Sequence, residues 1–133
     1  GKINVPAEIL SKPGKLSDIE FSLIKTHPLI AFDILREIDF DAPVAQMVYQ
    51  HHEKMNGSGY PQGLKGEGIL PGSRILTVAD VVEAIASHRP YRPALGITTA
   101  INEIMEKRGM YYDPDVVDAC VRLFQERRFA FLY

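Results

Sequence analysis

The sequence predicts an all-α fold: a compact bundle of about five helices with one long glycine-rich loop. Three observations carry this. Apolar residues recur at helical spacing in several segments. Helix-start signals stand ahead of those segments. No segment shows the strict alternation of a half-buried strand, and no internal repeat or low-complexity tract is present.

Residues 1–16 are read as short and irregular, punctuated by Pro6 and by Lys12-Pro13-Gly14, whose order suits a type II turn. Ser17-Asp18-Ile19-Glu20 is a capping box. It opens a helix with apolar positions Phe21, Ile24, Leu29, Phe32 and Leu35. Pro28 falls inside that run and removes a backbone donor, so the helix is expected to bend or divide there.

Asp41-Ala42-Pro43 reads as a second start, with Asp41 as the cap, and the helix is expected to reach about His52. Residues 56–72 carry Gly57, Gly59, Gly63, Gly66, Gly68 and Gly72. A loop so long and so rich in glycine is more often functional than accidental. Pro71-Gly72-Ser73 opens a third helix, Arg74 to about Ser87, which Arg89-Pro90-Tyr91-Arg92-Pro93 ends. A fourth covers about Thr98 to Lys107, with Gly109 as its stop, and Asp113-Pro114-Asp115 starts the last.

The 133 residues fit a single domain, 1–133, with a sizeable core. A formal net charge of -2 gives no general attraction to DNA or to anionic membranes, so any phosphate binding must be local. Cys120 is the only cysteine, which excludes a disulfide framework and suits a reducing, cytoplasmic compartment. No apolar run has the length of a membrane span, and no signal peptide is visible. The chain starts at Gly1 rather than Met and reads as an excised piece of something longer.

Four residues stand out as metal ligands: His27, the adjacent pair His51-His52 beside the glycine loop, and Asp80. Imidazole and carboxylate together suit iron, manganese or zinc. On a regular helix His51 and His52 point about 100° apart. Two metals side by side would accommodate that, as would one metal if the helix frays into the loop. Asp80 sits in the apolar run Leu76–Val82, where a carboxylate is expected to be buried and to need a partner or a metal. Taken singly, His27 before a proline reads as a turn residue and the His pair as a solvated helix end; the four together, beside the loop, favour a site. Lys2, Arg89 and Arg92 are read as basic residues near the loop; Arg forks match phosphate oxygens, and each Arg taken singly would more often pair with a surface carboxylate. Tyr60 could stack on a base or sugar, and a tyrosine after glycine is also a common loop anchor. His88 reads as a surface residue.

These residues resemble the HD-GYP domain. The match runs in order through Gly1-Lys2-Ile3, Ile9-Leu10-Ser11-Lys12-Pro13-Gly14, His27-Pro28, His51-His52-Glu53, Gly59-Tyr60-Pro61, Ala79-Asp80-Val81 and Arg89-Pro90-Tyr91-Arg92. The resemblance implies an all-helical, HD-type metal-dependent phosphodiesterase of bacterial signalling. Such an enzyme hydrolyses cyclic di-GMP to linear pGpG or GMP, with two or three divalent ions, iron or manganese, and hydroxide activated by metal as the nucleophile. It implies His27, His51, His52 and Asp80 as metal ligands, with Asp80 and Lys2 as catalytic residues. Lys2, Arg89, Arg92 and Tyr60 would hold the substrate. The Gly59-Tyr60-Pro61 loop would also dock a diguanylate cyclase-type protein. A non-catalytic module that binds cyclic dinucleotide or a partner is the alternative.

The family's His-Asp pair would stand just before Gly1, and a further His ligand upstream of it. The resemblance therefore implies a chain lacking the domain's N-terminal helices, with poor metal retention, little activity and self-association through an uncovered apolar face. Glu83 and His88 stand where many members carry Asp.

Overall fold

The computed structural model describes residues 5–87 and 95–126, and the described residues form helices joined by turns. They are α1 (Ala7–Leu10), α2 (Asp18–Ile24), α3 (His27–Leu35), α4 (Val44–Tyr49), α5 (Pro71–Ala86), α6 (Ile97–Glu106) and α7 (Pro114–Glu126), with a 3-10 turn at Gly66–Gly68. No strand occurs among the described residues; Asn56 and Lys65 form an isolated bridge across the glycine loop.

The expected capping box is present. Glu20 N–H donates to Ser17 Oγ at 3.2 Å, and Ser17 N–H donates to Glu20 Oε2 at 2.7 Å. The long first helix divides at residues 25–26, and Pro28 enters the first turn of α3, where a missing N–H costs nothing. Three expectations are corrected. A single helical turn, α1, lies within the segment read as irregular. Asp41 is not a cap: α4 is flanked by Pro43 and has no side-chain cap. That helix also ends at Tyr49, so the His pair lies in the turn beyond it.

The core lies between α5, α6 and α7. Val78, Val82, Ala100, Ile104, Tyr112 and Val117 are buried together, with Val81, Ile85, Ile101 and Val121 packed against them. Burial of each branched side chain contributes about 1.5–3 kcal/mol before entropy is counted. Gly109 ends the α6 turn with φ +77°, its N–H on Tyr112 O at 2.8 Å.

Arg74 ties this core to the glycine loop. Its guanidinium donates to Ile69 O at 2.9 Å, Gly66 O at 3.1 Å and Asp113 Oδ2 at 2.9 Å. Asp113 also caps α7, accepting from Asp115 N–H at 2.9 Å. Burial alone would push its carboxyl up. The Arg74 hydrogen bond and the backbone N–H groups outweigh that and hold it below the usual carboxylate value. A carboxylate depressed in the folded state adds stability that is complete above its unfolded value and is lost as pH falls through the folded one. Asp113→Asn is therefore expected to lower urea stability at pH 7 by about 1–2 kcal/mol. The gap from wild type should close below about pH 4; a pH-independent gap would contradict the assignment.

Candidate metal centre

Three sequence-predicted residues converge. The ligand atoms of His27, His51 and His52 all lie within 4.8 Å of one another. His27 Nε2 is 3.3 Å from His51 Nε2 and 3.1 Å from His52 Nε2. His27 is 4% exposed and the other two are half-buried.

The local sequence builds this arrangement. Pro28 has no N–H to give the Ile24 carbonyl four residues back. That carbonyl instead accepts from His27 Nδ1 at 2.6 Å. His51 Nδ1 donates in the same way to the Val48 carbonyl at the end of α4. A carbonyl only accepts, so both rings carry their proton on Nδ1 and present a lone pair at Nε2. Two such lone pairs 3.3 Å apart repel unless a cation lies between them. Outer hydrogen bonds that set the tautomer of a metal-binding histidine have this form. The donor set thus fits a divalent transition metal, which His27, His51 and His52 could hold.

The end of α4 resolves the angular problem of adjacent histidines. Off the helix, the two rings lie 4.0 Å apart between centroids, tilted by 40°. Their backbones are anchored by two different elements. Thr77 Oγ1 on α5 donates to His51 O at 2.8 Å. Tyr60 N–H donates to His52 O at 3.3 Å. The Tyr60 ring then stacks on the His52 ring at 4.9 Å and 26°.

Asp80 corrects one expectation: it is exposed. Helix α5 buries Ser73, Thr77, Val78 and Val82, and Asp80 falls just outside that stripe, at the edge that Ser73 and Thr77 occupy. It stands outside the three-histidine group. Its charge still reaches the site: burial first, and the Asp80 carboxylate second, raise the Tyr60 hydroxyl to about 12. Burial pulls the Lys54 ammonium down, and the Asp80 and Glu103 carboxylates oppose that. Lys2, His88, Arg89 and Arg92 lie outside the described residues.

Sequence reading passed over the residues that hold the loop. Glu53 is 1% exposed, and its carboxylate accepts from Gln62 N–H at 2.7 Å and Leu64 N–H at 3.0 Å. Gln50 accepts from Leu70 N–H at 2.8 Å, beside the buried hydroxyl of Ser73. Gly59 is pressed onto the His turn: a Cβ there would lie 2.4 Å from His52 O and 2.5 Å from Lys54 N. Only glycine permits that approach. The available signal was position, since Glu53 and Gln50 flank the His pair immediately ahead of a loop whose N–H groups need acceptors.

Comparison with known proteins places this geometry. The HD domain family matches residues 1–116. The "Cyclic di-GMP phosphodiesterase response regulator RpfG" of Xanthomonas campestris pv. campestris is 42% identical over 124 residues, 92% of this chain and 33% of its own length. A "Cyclic di-GMP phosphodiesterase" of Thermotoga maritima is 40% identical over 130 residues, 95% of this chain and 35% of its own. Among solved structures, a cyclic GMP-AMP specific phosphodiesterase of V. cholerae (V-cGAP3) aligns with a TM-score of 0.67 and 28% identity. That alignment covers 91% of this chain and 32% of the other. The chain thus spans about a third of the length of these relatives. With the family match over most of its length, the all-helical architecture and the ordered HD-GYP motifs, the chain belongs to the HD domain family, in its HD-GYP branch.

Proposed function

We propose that this domain hydrolyses a phosphodiester of a cyclic dinucleotide, with cyclic di-GMP as the first choice of substrate, in the cytoplasm. The observation that supports this most is the cluster of three imidazoles with two tautomers pinned for metal binding. The names of the relatives support the substrate class. Iron or manganese, as two or three ions, is the assigned metal, with Asp80 adding a carboxylate from α5 to the three histidines. When bound, such ions supply Lewis-acid polarisation of a phosphoryl oxygen and a lowered pKa for water.

The chain's own residues would orient the substrate. The Tyr60 hydroxyl, raised to about 12, stays protonated at neutral pH and can donate a hydrogen bond. Its ring, locked on His52, sets how close a nucleotide comes to the histidines. Lys2, Arg89 and Arg92 are assigned to neutralising the phosphates.

The test is turnover by the full-length protein purified with iron or manganese, using cyclic di-GMP, cyclic GMP-AMP and cyclic di-AMP. The expected result is conversion of cyclic di-GMP to the linear dinucleotide or GMP. Chelation should abolish it by at least about a hundredfold, and metal should restore it. Metal-loaded protein that binds the dinucleotides without cleaving them would make this a binding module.

A further inference from the structure

The end of α2 carries an aromatic and cationic cluster that the histidine site does not account for. Lys25 Nζ lies 4.7 Å from the Phe21 ring centroid and 5.5 Å from that of Tyr60. Phe21 and Tyr60 meet edge to face at 6.4 Å and 82°. Tyr60 in turn stacks on His52. One tyrosine ring therefore separates an ammonium at the end of α2 from the three histidines.

Phe21 and Lys25 are one helical turn apart, so part of their contact is an ordinary neighbour pair on a helix. The Tyr60 contact is different, because it joins the end of α2 to a loop 35 residues later in sequence and beside the site. Lys25 is exposed, and among the described residues no carboxylate lies within ion-pair distance of it. Phe21 is 43% exposed in spite of its size. The charge is thus held over ring faces and is not neutralised by an acid. A positive charge and an open aromatic face side by side match a nucleotide, whose phosphate and base need those two partners.

We infer that Phe21 and Lys25 form a second substrate subsite: Lys25 takes the phosphate of the cyclic dinucleotide that is not being cleaved, and Phe21 takes the face of its adjoining base. This rests on the phosphodiesterase reading above. Both phosphates of a cyclic dinucleotide belong to one closed ring. A molecule with one phosphate at the histidines therefore keeps the other within reach of groups a side chain away. A linear diester with a single phosphate lacks the second anion.

The experiment is steady-state kinetics of the metal-loaded full-length protein on cyclic di-GMP, with wild-type hydrolysis of bis(4-nitrophenyl) phosphate run alongside. Lys25→Gln is expected to raise KM for cyclic di-GMP about tenfold, with a smaller change in kcat and a weaker salt dependence of KM. Lys25→Arg should recover most of the loss, and Phe21→Ala should raise KM about fivefold or more. An unchanged KM in both variants, or a fall in kcat alone, overturns the subsite and leaves the phosphodiesterase reading standing. Wild-type protein that cleaves the small diester but neither binds nor cleaves any cyclic dinucleotide overturns the subsite and the substrate class. Wild-type protein that cleaves neither substrate overturns both readings.

Discussion

Alanine at His27 is expected to empty the metal centre and lower phosphodiester turnover by at least about a hundredfold. His27 Nε2 faces both other Nε2 atoms, at 3.3 and 3.1 Å, so its loss removes the member common to both contacts. Loss of a partner behind a ligand already costs 10–100-fold in affinity or activity, and loss of the ligand itself should cost no less. Because His27 is buried, metal content by elemental analysis and far-UV circular dichroism should be read together. A second variant separates ligation from folding. Pro28→Ala restores an N–H that competes with His27 Nδ1 for the Ile24 carbonyl. The ligands all remain, yet the ring loses its fixed tautomer, and metal affinity should fall about tenfold. An undiminished affinity in both variants would show that the cluster is not the metal site.

Glu53→Ala is expected to cost about 3 kcal/mol of stability and to detach the glycine loop. Its carboxylate is the acceptor for Gln62 and Leu64 N–H, and hydrogen bonds to charged groups contribute about 1.5–3 kcal/mol each. The buried charge itself costs desolvation, which sets the net loss below the sum of the two bonds. For a domain of this size the melting temperature should drop by roughly 10 °C. Glu53→Gln keeps one oxygen acceptor and should lose about half as much. Tyr60 sits on the segment that Glu53 anchors, so the alanine variant should also weaken metal binding. A melting temperature unchanged in Glu53→Ala would mean that the Gly59–Leu64 segment is held by other contacts.

The three histidines were legible in the sequence as candidates, because the signals that mark each of them are local. His27-Pro28 places a ring next to a carbonyl that has lost its helical donor, and this follows from the chemistry of proline. The capping box at Ser17 and the division near Pro28 follow from side chains acting on backbone within four residues, and the stop at Gly109 from the positive φ that glycine adopts freely. The error over Asp41 has the same origin: Pro43 already sets the turn, and a cap has no part there. The error over Asp80 has another source. Hydrophobicity along α5 does not say which arc of the helix meets α6 and α7, and Asp80 falls outside that arc.

By itself, then, the sequence determined the helical class, the capping and breaking signals, the candidate ligands and the family, since each depends on residue type and on spacing along the chain. Only the tertiary structure decided that α4 ends before His51, that the three Nε2 atoms meet, and that Glu53 is the buried anchor of the loop. It also decided that Tyr60 covers His52 and meets Lys25 from α2. These are contacts between segments 8 to 35 residues apart. They depend on the angles at which helices cross and on which carbonyls lack a helical donor, and the packing of the whole chain sets both.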